Sequence, residues 1–296
     1  MVETISAQSG IVPEIPVGDA FEAFVDWLYD NFLPFFNLLS DLGTSVYEGL
    51  SAALLFLPAL VMVALLTGLG WWLRGWKFGV YALLATTLIV SMGFWQHAMQ
   101  TLTLVLIATA VAVSVSLPVG ILAANHEGFS RLLRPVLDFM QTLPPFVYLV
   151  PALALFGIGV VPGMFATVIF AMPPGARLTE LGIRQVDKEM VEAGEAFGAP
   201  RWQILTKIQI PLALPTILAG INQVIMLALS MVVIAALVGA GGLGEDVYSS
   251  ITKTDISLGG ASGLAVVLLA IYLDRLTQAL GNRSAVKKAE RAAESG

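Results

Sequence analysis

No cysteine occurs in the 296 residues, which excludes a disulfide framework, a thiolate nucleophile and cysteine metal ligands. Charge is also scarce: charged residues make up 12% of the chain, against about 25% in soluble domains. The two histidines, His97 and His126, lack metal-ligand spacing and read as loop or interfacial residues. No Gly-Lys dipeptide is present, so no Walker A loop cradles a nucleotide. Gly-x-Ser-x-Gly, His-Glu-x-x-His and paired carboxylates within apolar runs are equally missing, so the chain is not expected to be an enzyme. The start has neither a basic region nor an early apolar stretch and does not read as a signal peptide. Lys and Arg are absent from residues 1–49.

What is present is apolar. Hydrophobic residues reach 57% and mean hydropathy is +0.84. A helix needs roughly 20 mostly apolar residues to cross a bilayer core. Apolar runs at 50–73, 78–96, 98–124, 141–157, 161–176, 212–238 and 259–280 predict an all-α polytopic membrane protein with about seven spans. The fourth and fifth runs contain Pro144, Pro145, Pro151, Pro162, Pro173 and Pro174, which predicts kinked or broken helices. Trp71, Trp72 and Trp76 beside Arg74 and Lys77 mark a membrane–water interface.

Residues 1–49 hold Glu3, Glu14, Asp19, Glu22, Asp26, Asp30, Asp41 and Glu48. Phe21, Phe24, Val25, Leu28, Phe32, Phe35, Phe36 and Leu39 recur at helical spacing. An amphipathic surface helix is expected there, either as an interfacial anchor or as a partner-docking face. Seven spans with the N-terminus outside place every Lys and Arg except Lys253 on the cytoplasmic side, as cytoplasmic loops prefer. The net charge of −6 then reflects the acidic outer segment, and no nucleic-acid partner is implied. This topology puts the Asn282-Arg283-Ser284 sequon inside, away from glycosylation.

The stretch 176–210 is the longest internal polar segment. Asp187 is a good N-cap for a short helix with Met190, Val191, Gly194 and Phe197 on one face. Gly198 sits at the C′ position, and Pro200 can open a second helix at N1 that runs to Pro211. The pattern Glu192-Ala193-Gly194, three residues, Gly198, nine residues, Ile208-Gln209-Ile210-Pro211 resembles the coupling loop of ABC importer permeases. The family carries Ala at 194 and Leu at 210; Gly at 194 can loosen the first helix. The resemblance implies that Asp187, Glu192, Ala193, Gly194, Gly198, Arg201, Ile208 and Pro211 couple the chain to an ATPase.

A closer resemblance, to the permeases of glycine betaine/proline betaine importers, rests on Gln141-Thr142-Leu143-Pro144-Pro145-Phe146-Val147-Tyr148, Leu155-Phe156-Gly157-Ile158-Gly159, Ala219-Gly220-Ile221-Asn222-Gln223, Gly241-Gly242-Leu243-Gly244 and Leu273-Asp274-Arg275-Leu276-Thr277-Gln278. It covers 98–281 strongly. It implies a type I ABC importer permease of the bacterial inner membrane, with a five-helix core at 98–281 and the coupling loop at 176–210. Two accessory spans at 50–97, an outer acidic segment at 1–49 and a cytoplasmic tail at 282–296 complete the expected organisation. The implied partners are a second permease copy, two cytoplasmic ATPases, a periplasmic solute-binding protein and membrane lipid. No cofactor is expected in this chain; ATP and Mg belong to the ATPase.

Mid-membrane positions are almost free of ionisable groups, which disfavours an ion-coupled carrier and suits a zwitterionic solute. Gln141, Thr142, Tyr148, Asn222, Gln223, Met226 and Ser230 are candidates either for lining a solute path or for hydrogen-bonding helices together. Tyr148 could meet an ammonium through its ring face. Gly241, Gly242 and Gly244, with Gly239, form either a gate-like turn or a close-packed contact. An ion-coupled carrier and a non-transporting scaffold are the rival readings. The solute among glycine betaine, proline betaine, choline, carnitine and trimethylamine N-oxide stays open.

Overall fold

The computed structural model describes residues 16–282, with side chains to Ala279. Glu3, Glu14 and the tail bases Arg283, Lys287, Lys288 and Arg291 lie outside the described residues, as does the sequon beyond Asn282. Among the described residues all regular structure is helical. Helix α1 (Val17–Phe56) is long and kinks at Phe32, whose φ is −123°. Pro34 supplies the cause, since its ring clashes with the preceding turn and it has no N–H to donate. Val25 and Phe36 are buried beside Leu155, so the amphipathic segment also covers protein.

The expected span at 50–73 is broken. Helix α2 (Ala59–Arg74) leaves α1 at a bend of 97°. Leu57 is extended at ψ 146° because the residue before a proline, here Pro58, is pushed out of the helical region. Helix α3 (Trp76–Ser91) folds back from Gly75, whose φ is +90°. Each of these helices has 16 residues, about 24 Å at 1.5 Å per residue. Tyr272 and Tyr81 hydroxyls tie this hairpin to the last helix, donating to the carbonyls of Leu66 and Leu268 at 2.9 Å each.

The centre is a packed trio: α4 (Trp95–Asn125), α7 (Val160–Arg184) and α10 (Ile210–Ser230). Small residues let the backbones approach, as in membrane bundles generally. A Cβ on Gly120 would stand 2.6 Å from Ala176 O, one on Gly175 2.5 Å from Ser116 Oγ, and one on Gly220 3.0 Å from Leu178 Cβ. Of the kink or break expected at Pro173 and Pro174, the break is absent, and α7 runs through both. Packing by α4 and α10 on its two sides holds it.

The predicted interruption of the fourth run is present. Helix α5 (Glu127–Thr142) meets a 3-10 turn (Pro145–Tyr148) and α6 (Leu149–Phe156) at 104°. Helix α10 continues after Met231 as α11 (Val232–Ala236). The unpredicted α12 (Leu243–Lys253) precedes α13 (Ile256–Asn282). Among the described residues three helices are each long and apolar enough to cross a membrane, and counting each of the two bent pairs as one span raises the number to five.

Candidate coupling element and solute pathway

The loop expected at 176–210 begins later than its polarity indicates, because 177–184 are the last turns of α7. The element proper opens at Asp187, whose carboxylate accepts the Glu189 N–H at 3.0 Å. Helix α8 (Lys188–Ala196) follows. It closes with Gly198 at φ +75°. The Gly198 N–H donates to Glu195 O at 2.9 Å and that of Ala199 to Gly194 O at 3.1 Å. These two bonds form a Schellman C-terminus, which needs a left-handed residue at C′. Both local predictions therefore match the geometry.

The second half differs. Pro200 is the N-cap, not N1, with ψ at 155°, and α9 (Arg201–Ile204) starts after it. No separate short helix ends at Pro211. Instead α9 passes through a π turn (Leu205–Gln209) into α10. Ile210 donates to Leu205 O, five residues back. The widened turn accommodates Pro211, which can neither donate nor tolerate a tight preceding carbonyl.

Gly194 is buried against this second half, where a Cβ would stand 2.7 Å from Ile208 Cδ1. The Ile208 tip fills the space that an alanine methyl at 194 would claim. Outward, Glu192, Ala193 and Arg201 are exposed, together with Met190 and Phe197, the latter at 91%. The element thus presents an apolar and charged surface away from the bundle.

Glu180 on α7 escaped sequence reasoning because it lies beyond the apolar run. It is 6% exposed and accepts from Ser130 at 2.7 Å, Arg134 at 3.2 Å and Arg184 at 3.0 Å. Arg184 also donates to Ala123 O at 2.8 Å. One buried carboxylate thereby joins α4, α5 and α7 just before the coupling element. The i, i+4 spacing of Glu180 and Arg184 was its available signal.

The candidate pathway residues do not converge. Gln141 and Thr142 are exposed at the end of α5. Tyr148 is buried, and its hydroxyl donates to Met140 O across the elbow. Asn222 turns toward α13, donating to Asp274 at 3.0 Å. Gln223, Met226 and Ser230 are exposed on α10, with Ser230 donating to Met226 O at 2.9 Å.

The glycines at 239–244 combine turning with close contact. Gly239, Gly241 and Gly242 all have positive φ. A Cβ on Gly242 would stand 2.5 Å from Thr101 Oγ1, and one on Gly244 2.3 Å from Val232 O. The Leu243 N–H donates to Thr101 Oγ1 at 2.9 Å. His97 faces Asp246 with Nδ1 and Oδ2 at 2.5 Å, pinning the start of α12 to α4; sequence separation hid this pair. Among the described residues no group of three or more His, Asp or Glu could hold a metal.

Residues 116–286 match the family described as binding-protein-dependent transport system inner membrane component. The chain is similar to the glycine betaine transport system permease protein OpuAB of Bacillus subtilis, 46% identical over 90% of this chain and 95% of that protein. It is 44% identical to the glycine betaine/proline betaine transport system permease protein ProW of Escherichia coli, over 91% of this chain and 76% of ProW. Among solved structures, an inward-facing conformation of the MetNI methionine ABC transporter matches with a TM-score of 0.55. That match is at 24% identity and covers 64% of this chain and 93% of the other.

Proposed function

Since the chain belongs to the family of binding-protein-dependent transport system inner membrane components, we propose that it is the permease of an ATP-driven importer for a small quaternary-ammonium solute of the glycine betaine type. The observation that carries this reading is the 187–211 element. Asp187 and Gly198 cap a short helix whose outward face offers Met190, Ala193 and Phe197 beside Glu192. Such a surface fits a groove on a separate ATPase.

In this reading two permease copies sit in the bacterial inner membrane with two ATPases inside and a solute-binding protein outside. The N-terminus is outside and the C-terminus cytoplasmic. ATP and Mg bind only to the ATPases. ATP-driven closure pulls α8 and α9. The pull reaches α10 directly through the π turn, and reaches α4 and α5 through Arg184 and Glu180. The exposed Gln223, Met226 and Ser230 of α10 are the better-placed candidates for the solute path. Tyr148 and Asn222 are already engaged in bonds within the chain.

The test is uptake of labelled glycine betaine by proteoliposomes holding the permease, its ATPase and its binding protein. Uptake that needs internal ATP and external binding protein is expected. Uptake driven by an ion gradient without ATPase would replace this reading with that of a secondary carrier.

A further inference from the structure

Helix α12 has 11 residues and is jointed at both ends. Before it, Gly239, Gly241 and Gly242 have φ of +89°, +71° and +71°; after it, Thr254 has φ of +54°. The left-handed region is uncommon outside glycine, so the chain turns sharply at both places. Between the joints, two residues one turn apart on α4 hold the first turn of α12. Thr101 Oγ1 accepts the Leu243 N–H at 2.9 Å, and His97 Nδ1 donates to Asp246 Oδ2 at 2.5 Å. A Cβ on Gly242 would stand 3.2 Å from both His97 O and Thr101 N, so this turn rests on the α4 backbone itself. The other side of α12 meets α11 just as closely, at the Gly244–Val232 contact. Helix α11 prolongs α10, which carries Gln223, Met226 and Ser230. The neighbouring Ala98, Met99 and Leu102 of α4 are buried. The ion pair is not, with side-chain exposures of 40% for His97 and 14% for Asp246. A polar pair at the water's edge can exchange its partner for water at modest net cost, whereas parting an apolar seam exposes its whole area.

We propose that α12 is a gate at the outer mouth of the permease and that His97 and Asp246 are its latch. In the conformation described, the pair holds α12 against α4. When the permease opens outward, α12 turns about its two joints, the pair parts, and water solvates both groups. His97 and Asp246 act as positioning residues, not as contacts for solute. The intact latch makes the closed gate the resting state. It keeps the ATPases from cycling until a docked binding protein supplies the free energy that parts the pair. A partner shifts a conformational equilibrium only by its differential affinity for the two states. The strength of the latch therefore sets how much of the docking energy opening takes up.

This inference rests on the importer reading for its partners and on the orientation proposed there. The permease–ATPase complex is reconstituted without binding protein, and its ATP hydrolysis is measured. His97→Ala and Asp246→Ala are each expected to raise this unprompted hydrolysis roughly tenfold, the population shift that about 1.4 kcal/mol produces. Exchanging the two residues, His97→Asp with Asp246→His, is expected to return it to the wild-type level. Failure of hydrolysis to rise in either single variant, with or without a lower Tm, overturns the latch. A merely structural pair would lose stability without gaining activity. Asp246→His alone gives an independent reading. Two imidazoles then face each other, and Zn²⁺ bridges them through ring nitrogens. Calorimetry should show one Zn²⁺ site beyond those of the wild type, and filling it should stop uptake until EDTA is added. No added site, or uptake that continues with the site filled, also overturns the proposal. Wild-type uptake that needs no ATP would sink the importer reading instead, so the two failures are told apart.

Discussion

Asn222 on α10 and Asp274 on α13 are joined by a 3.0 Å hydrogen bond, and the Asn222 oxygen accepts from Thr277 at 2.9 Å. Gln278 gives Asp274 two further bonds, at 2.8 and 2.9 Å. The half-buried carboxylate is thus held by amides from two helices. Asn222→Ala removes one of these donors and leaves Thr277 without its side-chain acceptor on α10. A loss of about 0.6–2 kcal/mol is expected, since bonds between membrane helices are individually modest. Thermal unfolding in detergent should show a lower Tm with an unchanged KM for uptake. A raised KM at unchanged Tm would instead return Asn222 to the solute path.

The glycines after α11 make separable predictions. Gly241 has open space around it, with only Glu245 Oε2 at 3.9 Å, so Gly241→Ala costs only the left-handed backbone penalty, about 1–2 kcal/mol. Gly244 has a helical place in α12 but no room, with Val232 O at 2.3 Å from a built Cβ. Gly242 has both problems. The expected order of stability is Gly241→Ala above Gly242→Ala, with Gly244→Ala also impaired by overpacking of about 1–3 kcal/mol. If Gly241→Ala alone blocked transport while all three variants kept their Tm, a hinge role for Gly241 would be favoured over packing.

The parts of this chain that were legible in sequence are those decided locally. Asp187 caps α8 through a bond two residues away, and Gly198 turns it through bonds within four. Pro144 and Pro145 break the fourth run for reasons contained in two residues. What was illegible depends on neighbours distant in sequence. Pro173 and Pro174 fail to break α7 because α4 and α10 clasp it at Gly175 and Gly220. Asp246 finds His97 across 149 positions. Helix α12 is too polar to register as a span and too short to stand out from a loop.

Orientation is testable because cysteine is absent. Thr252 on α12 and Glu189 on α8 are both exposed and are proposed to lie on opposite sides of the membrane. In intact spheroplasts an impermeant maleimide should label Thr252→Cys and spare Glu189→Cys until the cells are lysed. The reverse pattern would invert the topology and move the coupling element outside, where no ATPase could reach it.

Gly198 offers the sharpest test of the coupling element. Its φ of +75° is required by the Schellman bonds to Glu195 and Gly194, yet nothing lies within 4 Å of where a Cβ would project. Substitution therefore acts through backbone preference and not through collision within the chain. Asn tolerates the left-handed region far better than a β-branched residue does. Gly198→Asn should keep most solute-stimulated ATP hydrolysis, whereas Gly198→Val should lose it while still reaching the membrane. Glu192→Ala, by contrast, removes an exposed charge with no ion-pair partner among the described residues and should weaken ATPase co-purification only mildly, by about 0–1 kcal/mol. Hydrolysis and co-purification measured side by side separate these effects. If Gly198→Val and Gly198→Asn were equally active, the turn would be incidental. If both were equally dead, an ATPase surface must press on the open space at Gly198, and steric fit against the partner would replace backbone geometry as the reason for glycine.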